Sequence, residues 1–346
     1  MSLRRWSAAA VAAGAGWVGL RSYLARRREI DLDGRVVVIT GGSRGLGLEL
    51  ARAFADEGAR LALIARDPDG LERATAELAG RGADVRAWSC DLRVPELVRE
   101  TVAQIARVFG RIDVLVHDAG VIAAGPLPHM TESDFEDAMA IHFFAPLRLT
   151  LEALPLLPRP GGRIVTIASI GGLVAVPHLV PYCASKFAEV GLSDGLRAEL
   201  AREGIRVTTV CPGLMRTGSH LNAWFKGRHR PEFTLFTLID SSPLTSIDAA
   251  RAARRIVAAC RRGEPFLVLS PQARLLWLAA ALAPNATAEA MALAARFLPP
   301  PDGAEGDERR RGRDSTTALA PSILTWMADR AAVRNNEIPR PHVNGR

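Results

Sequence analysis

Lysine and tyrosine are almost absent from this chain of 346 residues, which contains two of each: Lys186, Lys226, Tyr23 and Tyr182. Cysteine is scarce too, and no two of the four cysteines have the C-x-x-C spacing of zinc or dithiol redox sites. We therefore expect no metal site and interpret the cysteines as small buried residues in a reducing compartment. With 48% apolar residues, the chain is also not of the disordered, collagenous or disulfide-framework type.

The body of the chain also lacks an excess of positive charge. The net charge is +7, but residues 1–28 hold six arginines and no acidic residue, so the other 318 residues carry only +1. A surface that binds nucleic acid needs a basic patch on the folded body. We therefore expect no nucleic-acid partner.

The amino-terminal region, residues 1–29, lacks charge over residues 6–20. This run is shorter than the roughly 20 apolar residues of a spanning helix, although flanking arginines and two tryptophans, Trp6 and Trp17, suit a membrane interface. Three interpretations stay open: an anchor with membrane contact through residues 6–20, a cleaved secretory signal and a surface helix. We expect a cytoplasmic protein, attached to the cytoplasmic face of a membrane if the first interpretation holds.

From residue 34 onwards, short β-branched runs alternate with longer amphipathic stretches. The predicted strands are Arg35–Thr40, Arg60–Ala65, Asp84–Trp88, Ile112–His117, Gly162–Ser169, Ile205–Cys211 and Pro265–Leu269. The predicted helices cover residues 45–57, 70–80, 95–109, 133–156, 182–203 and 248–262. This alternation is typical of β-α-β crossovers and predicts a doubly wound α/β domain with a seven-stranded parallel sheet and helices on both faces.

Two regions lie outside this domain, which we place at residues 30–270. Residues 271–298 are apolar and predict a helical extension that could cap a pocket, join subunits or contact lipid. Residues 299–346 begin with prolines, glycines and charges and predict a mostly disordered tail, with one short helix near 321–333. Within the domain, residues 214–246 are too long for a passive connection, and we expect them to form a lid.

A glycine-rich turn, Thr40 to Gly47, follows the first predicted strand and leads directly into a helix. Such a turn lets the backbone approach a pyrophosphate, whose charge then lies at the helix N-terminus. Arg44 in the turn and Arg66 after the second strand favour a 2′-phosphate, unless both are simply solvated. The sequence therefore predicts a dinucleotide site that prefers NADP(H) to NAD(H). Its predicted residues are Gly41, Ser43, Arg44, Gly45, Leu46, Gly47 and Arg66.

Tyr182 precedes Lys186 by four residues, a spacing that would seldom arise by chance in a chain with two residues of each type. On a helix this spacing places both side chains on one face. A phenol has a pKa near 10, and a neighbouring ammonium stabilises the phenolate and brings the phenol into a useful range for proton transfer. Ser169 ends the fifth predicted strand and could hydrogen-bond the reacting oxygen. We predict these three residues to be catalytic.

Together these motifs resemble the short-chain dehydrogenase/reductase family in its compact T-G-x-x-x-G-x-G form, over about residues 34–270. The resemblance implies a Rossmann fold, a homodimer or tetramer, and hydride transfer between nicotinamide and a carbonyl compound or secondary alcohol. It implies that Tyr182 is the general acid/base, that Lys186 lowers its pKa and holds the nicotinamide ribose, and that Ser169 orients the substrate. It adds further cofactor-binding residues after the third, fourth and sixth strands: Asp91, Leu92, Ala119, Gly120, Pro212, Gly213 and Thr217.

The chain departs from the family pattern at three positions. The family usually has Asn-Asn before Ala-Gly, where this chain has His117-Asp118. It also uses an asparagine to relay protons in the following helix, where this chain has His142. We predict His142 either as a substitute proton relay or as a packed structural histidine.

The substrate of such a site is expected to be a small carbonyl compound or alcohol of apolar or lipid-like character, because the predicted walls and lid are rich in apolar residues. The lid aromatics could instead pack on the body, and His129, His178, Lys226 and Arg228 could contact a polar head group or face water. An alternative function is a non-catalytic NADP(H)-binding sensor or scaffold. A sugar-nucleotide epimerase is disfavoured, since its turn normally reads T-G-x-x-G-x-x-G.

Overall fold

The computed structural model describes Gly19 and residues 23–338. Its centre is a seven-stranded sheet in which every neighbouring pair is parallel. The strands are β1 (Val36–Thr40), β2 (Arg60–Ala65), β3 (Val85–Ser89), β4 (Val114–His117), β5 (Arg163–Ile167), β6 (Arg206–Cys211) and β7 (Phe266–Val268). Their order across the sheet is β3-β2-β1-β4-β5-β6-β7. The predicted doubly wound α/β fold is thus confirmed.

Eleven helices that matter for the site are α1 (Gly45–Ala55), α2 (Pro68–Gly80), α3 (Pro95–Phe109), α4 (Glu132–Met139), α5 (Ala145–Ala153), α6 (Val180–Leu200), α7 (His229–Ser241), α8 (Ala249–Arg262), α9 (Pro271–Leu282), α10 (Pro284–Ala295) and α11 (Trp326–Arg334). A π-helical stretch, Ala140–Phe144, connects α4 to α5. Local caps explain some helix starts: Asp248 accepts a hydrogen bond from the Arg251 N–H at α8, and Ser270 accepts one from the Ala273 N–H at α9.

The core consists of two apolar layers, one on each face of the sheet. Phe54 of α1 and Ile256 of α8 belong to one layer, and Ile105 of α3 and Leu149 of α5 belong to the other. Burial of one such side chain contributes about 1.5–3 kcal/mol. Because helices cover both faces, a binding crevice is expected at the carboxyl edge of the sheet, where the strand order reverses between β1 and β4.

The tail differs from the expectation of disorder in the part that the structure describes. Residues 310–311 pair antiparallel with residues 224–225, and Arg309 binds Asp134 and Asp137 at 2.8 and 2.6 Å. Composition alone indicated a solvated segment, but its charges find specific partners in the body. The predicted short helix of the tail is α11.

The predicted extension at residues 271–298 forms two helices, α9 and α10, which pack against each other. No helix within residues 23–338 is both long and apolar enough to cross a membrane. The apolar run at residues 6–20 lies outside the described residues, apart from Gly19.

Candidate active site

The carboxyl ends of four adjacent strands bring the predicted site residues to one edge of the sheet. The glycine-rich turn follows β1, Ala119 and Gly120 follow β4, Ser169 follows β5, and Pro212 follows β6. Helix α6 then supplies Tyr182 and Lys186. This arrangement follows from the parallel sheet, in which all strands end at the same edge.

The glycine-rich turn has a backbone that side chains would disrupt. Gly41 and Gly45 have φ values of +72° and +59°, in the left-handed region that favours glycine. A Cβ atom on Gly47 would lie 2.2 Å from the Gly41 carbonyl oxygen. The Thr40 hydroxyl accepts hydrogen bonds from the N–H groups of Asp118 and Ala119, at 2.9 and 3.0 Å, and so joins the end of β4 to the turn. The turn therefore has the close backbone approach that a pyrophosphate requires.

Ser169, Tyr182 and Lys186 lie together, as the sequence predicts. The Lys186 Nζ is 5.9 Å from the centroid of the Tyr182 ring, and the Ser169 hydroxyl is close enough to the phenol to oppose the rise in its pKa. Both Ser169 and Tyr182 pack on Gly171, where an added Cβ would be 3.4 Å from the Ser169 Oγ and 3.1 Å from the Tyr182 Cε1. Ser169 and Tyr182 can thus converge on one reacting oxygen, with the Lys186 charge beside the phenol.

A buried carboxylate, Glu189, shares the ammonium of Lys186. The Lys186 Nζ donates to Glu189 Oε2 at 2.7 Å and to the Ile167 carbonyl at 2.9 Å. Burial lowers the pKa of Lys186, but attraction to Glu189 and Tyr182 outweighs this effect and raises it. Burial raises the pKa of Glu189 to about 7. Burial also raises the pKa of Tyr182, against the opposing effects of Lys186 and Ser169.

His142 lies in the π-helical stretch, with its ring edge-on to Tyr182 at a centroid distance of 5.5 Å. Its Nε2 accepts a hydrogen bond from the Val121 N–H at 3.1 Å. We therefore assign the ring proton to Nδ1, which donates to the Ser185 Oγ at 2.8 Å, and that hydroxyl donates to the Tyr182 carbonyl. Burial and the Lys186 charge hold the pKa of His142 well below its usual value. Both ring nitrogens are thus engaged, and a relay role for His142 stays a prediction.

His117 and Asp118 stand at the end of β4, where the family usually has two asparagines, and His117 still connects this strand to a neighbouring helix. The His117 Nε2 hydrogen-bonds the Thr150 hydroxyl at 2.9 Å, and burial lowers its pKa to about 3. Burial raises the pKa of Asp118 to about 7, against the opposing effect of the Lys186 charge. An added Cβ on Gly47 would lie 2.9 Å from the Asp118 Oδ2. A neutral imidazole and a titratable carboxyl therefore lie beneath the glycine-rich turn.

The tail brings a further arginine, Arg311, close to the predicted 2′-phosphate residues. Burial lowers the pKa of Arg311, and the positive charges of Arg313, Arg44 and Arg66 lower it further. The Arg311 guanidinium stacks 3.7 Å from the centroid of the Trp224 ring. The run of arginines at 309–311 was visible in the sequence, but its position in space was not.

The described end of the chain crosses the glycine-rich turn. We call residues 335–337 the C-terminal strap. The Asn335 carbonyl accepts a hydrogen bond from the Gly45 N–H at 2.9 Å, and its side-chain amide donates to the Thr217 carbonyl at 3.1 Å. The Asn336 amide donates to the carbonyls of Ser43 and Gly70 at 2.8 and 3.1 Å.

The last residue of the strap, Glu337, places a carboxylate at the N-terminus of α1. Its carboxylate forms an ion pair with Arg44 at 3.4 Å and accepts a hydrogen bond from the Asn222 amide. A Cβ on Gly45 would lie 2.8 Å from the Glu337 Oε1. Burial raises the pKa of this carboxyl. The strap therefore covers the groups that the sequence predicts for a pyrophosphate and a 2′-phosphate.

Comparison with known proteins identifies the family. The profile described as short chain dehydrogenase matches residues 35–224. The chain belongs to the short-chain dehydrogenase family. Like other members, it is therefore an oxidoreductase with a nicotinamide cofactor.

Three similar proteins illustrate the breadth of the match. The putative ketoacyl reductase 1 of the granaticin polyketide synthase from Streptomyces violaceoruber is 40% identical over 185 residues, which are 53% of this chain and 68% of the relative. Dehydrogenase/reductase SDR family member 7B from Bos taurus is 32% identical over 288 residues, 81% of this chain and 85% of the relative. The crystal structure of L-sorbose reductase from Gluconobacter frateurii with NADPH and L-sorbose has a TM-score of 0.63 and 26% identity, covering 70% of this chain and 97% of that one.

The remaining residues that the family resemblance implies are also at the carboxyl edge of this short-chain dehydrogenase. Leu92 is buried in the apolar layer against which Ala119 packs, and the Pro212 carbonyl accepts a hydrogen bond from the Ile170 N–H at 2.8 Å. Thr217 is buried, and a Cβ on Gly213 would lie 2.9 Å from the Ser270 Oγ.

Asp91 follows β3, and its carboxylate is already paired with a neighbouring arginine. Its carboxylate binds Arg93 at 2.6 Å, and this hydrogen bond lowers its pKa.

Three residues considered for a polar head group have structural partners in this short-chain dehydrogenase. Lys226 is buried and binds Asp134 at 2.7 Å, His129 binds Asp307 at 2.8 Å, and His178 binds Glu232 at 2.6 Å. These ion pairs and hydrogen bonds fix the lid and tail on the body, so the side chains are not available to a substrate. The lid aromatics Phe225 and Phe233 likewise pack in a buried cluster.

Proposed function

We propose that this short-chain dehydrogenase transfers hydride between NADP(H) and a carbonyl compound or secondary alcohol of apolar or lipid-like character. The observation that carries the proposal is the convergence of Ser169, Tyr182 and Lys186 beside the glycine-rich turn. The nicotinamide, when bound, supplies or accepts the hydride.

The side chains handle the proton. The Tyr182 phenol donates a proton to the carbonyl oxygen in reduction and takes it from the alcohol in oxidation. The Ser169 hydroxyl holds the same oxygen. The Lys186 ammonium stabilises the phenolate form of Tyr182, and Ile167 and Glu189 keep that ammonium in place.

The preference for NADP(H) is supported by Arg44 and Arg66 at the expected 2′-phosphate position and by Arg311 of the tail, which is close enough for both charges to act on it. An arginine binds a phosphate through paired charge-assisted hydrogen bonds, and an acidic residue that would repel it is not found at position 66. The L-sorbose reductase structure, similar in fold, contains NADPH.

An apolar substrate is supported by the side chains around the lid cluster. Ile122, Leu179, Leu221 and Phe236 are only partly buried against it, so apolar surface remains around the cluster. Such a surface favours a substrate with a hydrocarbon portion.

Cofactor binding at the glycine-rich turn requires the C-terminal strap to move. The Gly45 N–H already donates to Asn335, and Arg44 already pairs with Glu337. A dinucleotide would need these groups for its phosphates.

The strap and the changed residues His117, Asp118 and His142 also favour a second candidate, a sensor or scaffold that binds NADP(H) without turnover. Tyr182→Phe separates the two, because it removes the transferable proton but leaves the turn intact. We expect NADPH oxidation with a panel of aliphatic and aromatic ketones and aldehydes, and its loss in Tyr182→Phe, with NADPH binding retained in a fluorescence titration. No carbonyl-dependent oxidation in the unaltered protein, or equal rates in the variant, would overturn the enzymatic proposal.

A further inference from the structure

The hairpin of α9 and α10 exposes an unusual amount of apolar surface. Residues 271–298 contain only three charged side chains, Arg274, Glu289 and Arg296. Leu275, Leu282 and Phe297 are 68%, 83% and 80% exposed. Each helix has 12 residues and is therefore only about 18 Å long, too short to cross a bilayer. A hairpin of this kind can lie in a membrane interface but cannot span it.

A groove rich in arginine lies beside the hairpin. It encloses about 310 Å³ and is lined mainly by arginines of α8, with one acidic residue, Glu264. Its arginines are Arg251, Arg254, Arg255, Arg262 and Arg274. Among the described residues, only Arg262 of these five forms an ion pair with an acid. The groove therefore presents uncompensated positive charge.

The fold holds this charge in place. The four α8 arginines fall on one helical face, while Ala253, Ile256 and Cys260 on the opposite face are buried in the core. Arg255 donates to the Leu269 carbonyl, and Arg274 donates to the Val268 carbonyl at 2.9 Å. The groove is thus joined to the start of the hairpin through the end of β7.

The amino-terminal segment leaves the body at the same helix. The Ile30 N–H donates to the carbonyl of Arg261, near the carboxyl end of α8, at 3.0 Å. The sequence before Ile30 contains six arginines and the uncharged run at residues 6–20. The chain that carries these arginines therefore joins the body at the helix that lines the groove.

We propose that the arginine groove and the α9–α10 hairpin form a docking surface for a membrane containing anionic phospholipids. The apolar side chains enter the interface, and the arginines bind lipid phosphates. A second copy of this chain fits the surface less well, because a symmetric contact would bring the arginines of the two copies together. This inference does not depend on the proposed function.

The test uses the full chain and vesicle flotation with phosphatidylcholine, with and without phosphatidylglycerol. We expect binding to the anionic vesicles that decreases with salt. The double variant Arg251→Gln/Arg254→Gln should bind about 25-fold more weakly, about fivefold per arginine. These two arginines are exposed. The matched control, Arg107→Gln/Arg202→Gln, removes two exposed arginines elsewhere and should bind like the unaltered protein.

The hairpin is tested separately by Leu282→Asp, with Val108→Asp on α3 as an exposed apolar control. We expect weaker vesicle binding for the first variant only, with an unchanged mass in analytical ultracentrifugation. Equal vesicle binding by the groove variant and its control would overturn the proposal. A Leu282→Asp variant that binds vesicles normally but loses a dimer would assign the hairpin to self-association instead.

Discussion

Removal of the C-terminal strap should strengthen NADPH binding. The perturbation is a chain that ends at Arg334, compared with one that ends at Ile338 and keeps the strap. Nine hydrogen bonds and ion pairs join residues 335–337 to residues 43–222 of the body. At about 1 kcal/mol net for each, they favour the docked strap by about 9 kcal/mol.

Ordering the backbone of three residues opposes docking by about 1–2 kcal/mol per residue, or about 4.5 kcal/mol in total, and fixing their three side chains costs about 1 kcal/mol each, or about 3 kcal/mol more. The docked strap is therefore favoured by about 1.5 kcal/mol, which leaves the turn free in roughly one molecule in ten. Since apparent affinity scales with the fraction of molecules that can bind, the shorter chain should bind NADPH about tenfold more tightly.

The assay is titration of NADPH fluorescence for three proteins: full length, ending at Ile338 and ending at Arg334. We expect equal dissociation constants for the first two and a smaller one for the third. Glu337→Ala should give part of the same effect, because it removes the contacts with Arg44 and Asn222. If the chain ending at Arg334 binds NADPH more weakly, the strap is part of the cofactor site and our reasoning is wrong.

Three further predictions concern selectivity, pH dependence and stability. Arg66→Ala should weaken NADPH binding about 10–100-fold but leave NADH binding unchanged, as expected for a lost charge-assisted contact to the 2′-phosphate; an equal loss for both cofactors would argue against it. Glu189→Gln should shift the Tyr182-dependent limb of the activity profile to lower pH, since the Glu189 charge raises the pKa of Tyr182; a shift to higher pH would contradict this. Lys226→Met should lower the free energy of unfolding in urea by about 1.5–3 kcal/mol, because it removes the 2.7 Å partner of the buried Asp134 while Arg309, at 2.8 Å, still pairs with that carboxylate; a change below about 1 kcal/mol would refute the importance of this pair.

Patterns within short stretches of the sequence predicted the strands, the helix that carries Tyr182 and Lys186, and the glycine-rich turn. Runs such as Val36–Thr40 are buried on both faces of a parallel sheet and so consist of β-branched and aliphatic residues. The spacing of Tyr182 and Lys186 on one helix predicted their proximity in the same way. The glycine-rich turn was predictable because its backbone tolerates few other residues.

Contacts between distant parts of the chain were not predictable from composition. Asn335 meets Gly45 across 290 residues, and no periodicity encodes that contact. The tail has the charges and prolines of a solvated linker, yet Arg309 binds Asp134. Glu189 could have been found, because it lies three residues after Lys186 on the same helix. A carboxylate at that spacing predicts an ion pair with the lysine.

The carboxyl of Asp118 links cofactor binding to pH. Burial raises its pKa to about 7, above its value in an unfolded chain, and it lies beneath the turn expected to hold the pyrophosphate. The negative charge of a bound dinucleotide should raise this pKa further, so binding takes up a proton and weakens as pH rises from about 6 to 8. The 2′-phosphate of NADPH also titrates in this range. The measurement is therefore the dissociation constant of NADPH between about pH 6 and 8, compared between the unaltered protein and Asp118→Asn. We expect the variant to lose the part of the pH dependence that weakens binding at higher pH, and identical profiles would show that Asp118 does not sense the cofactor.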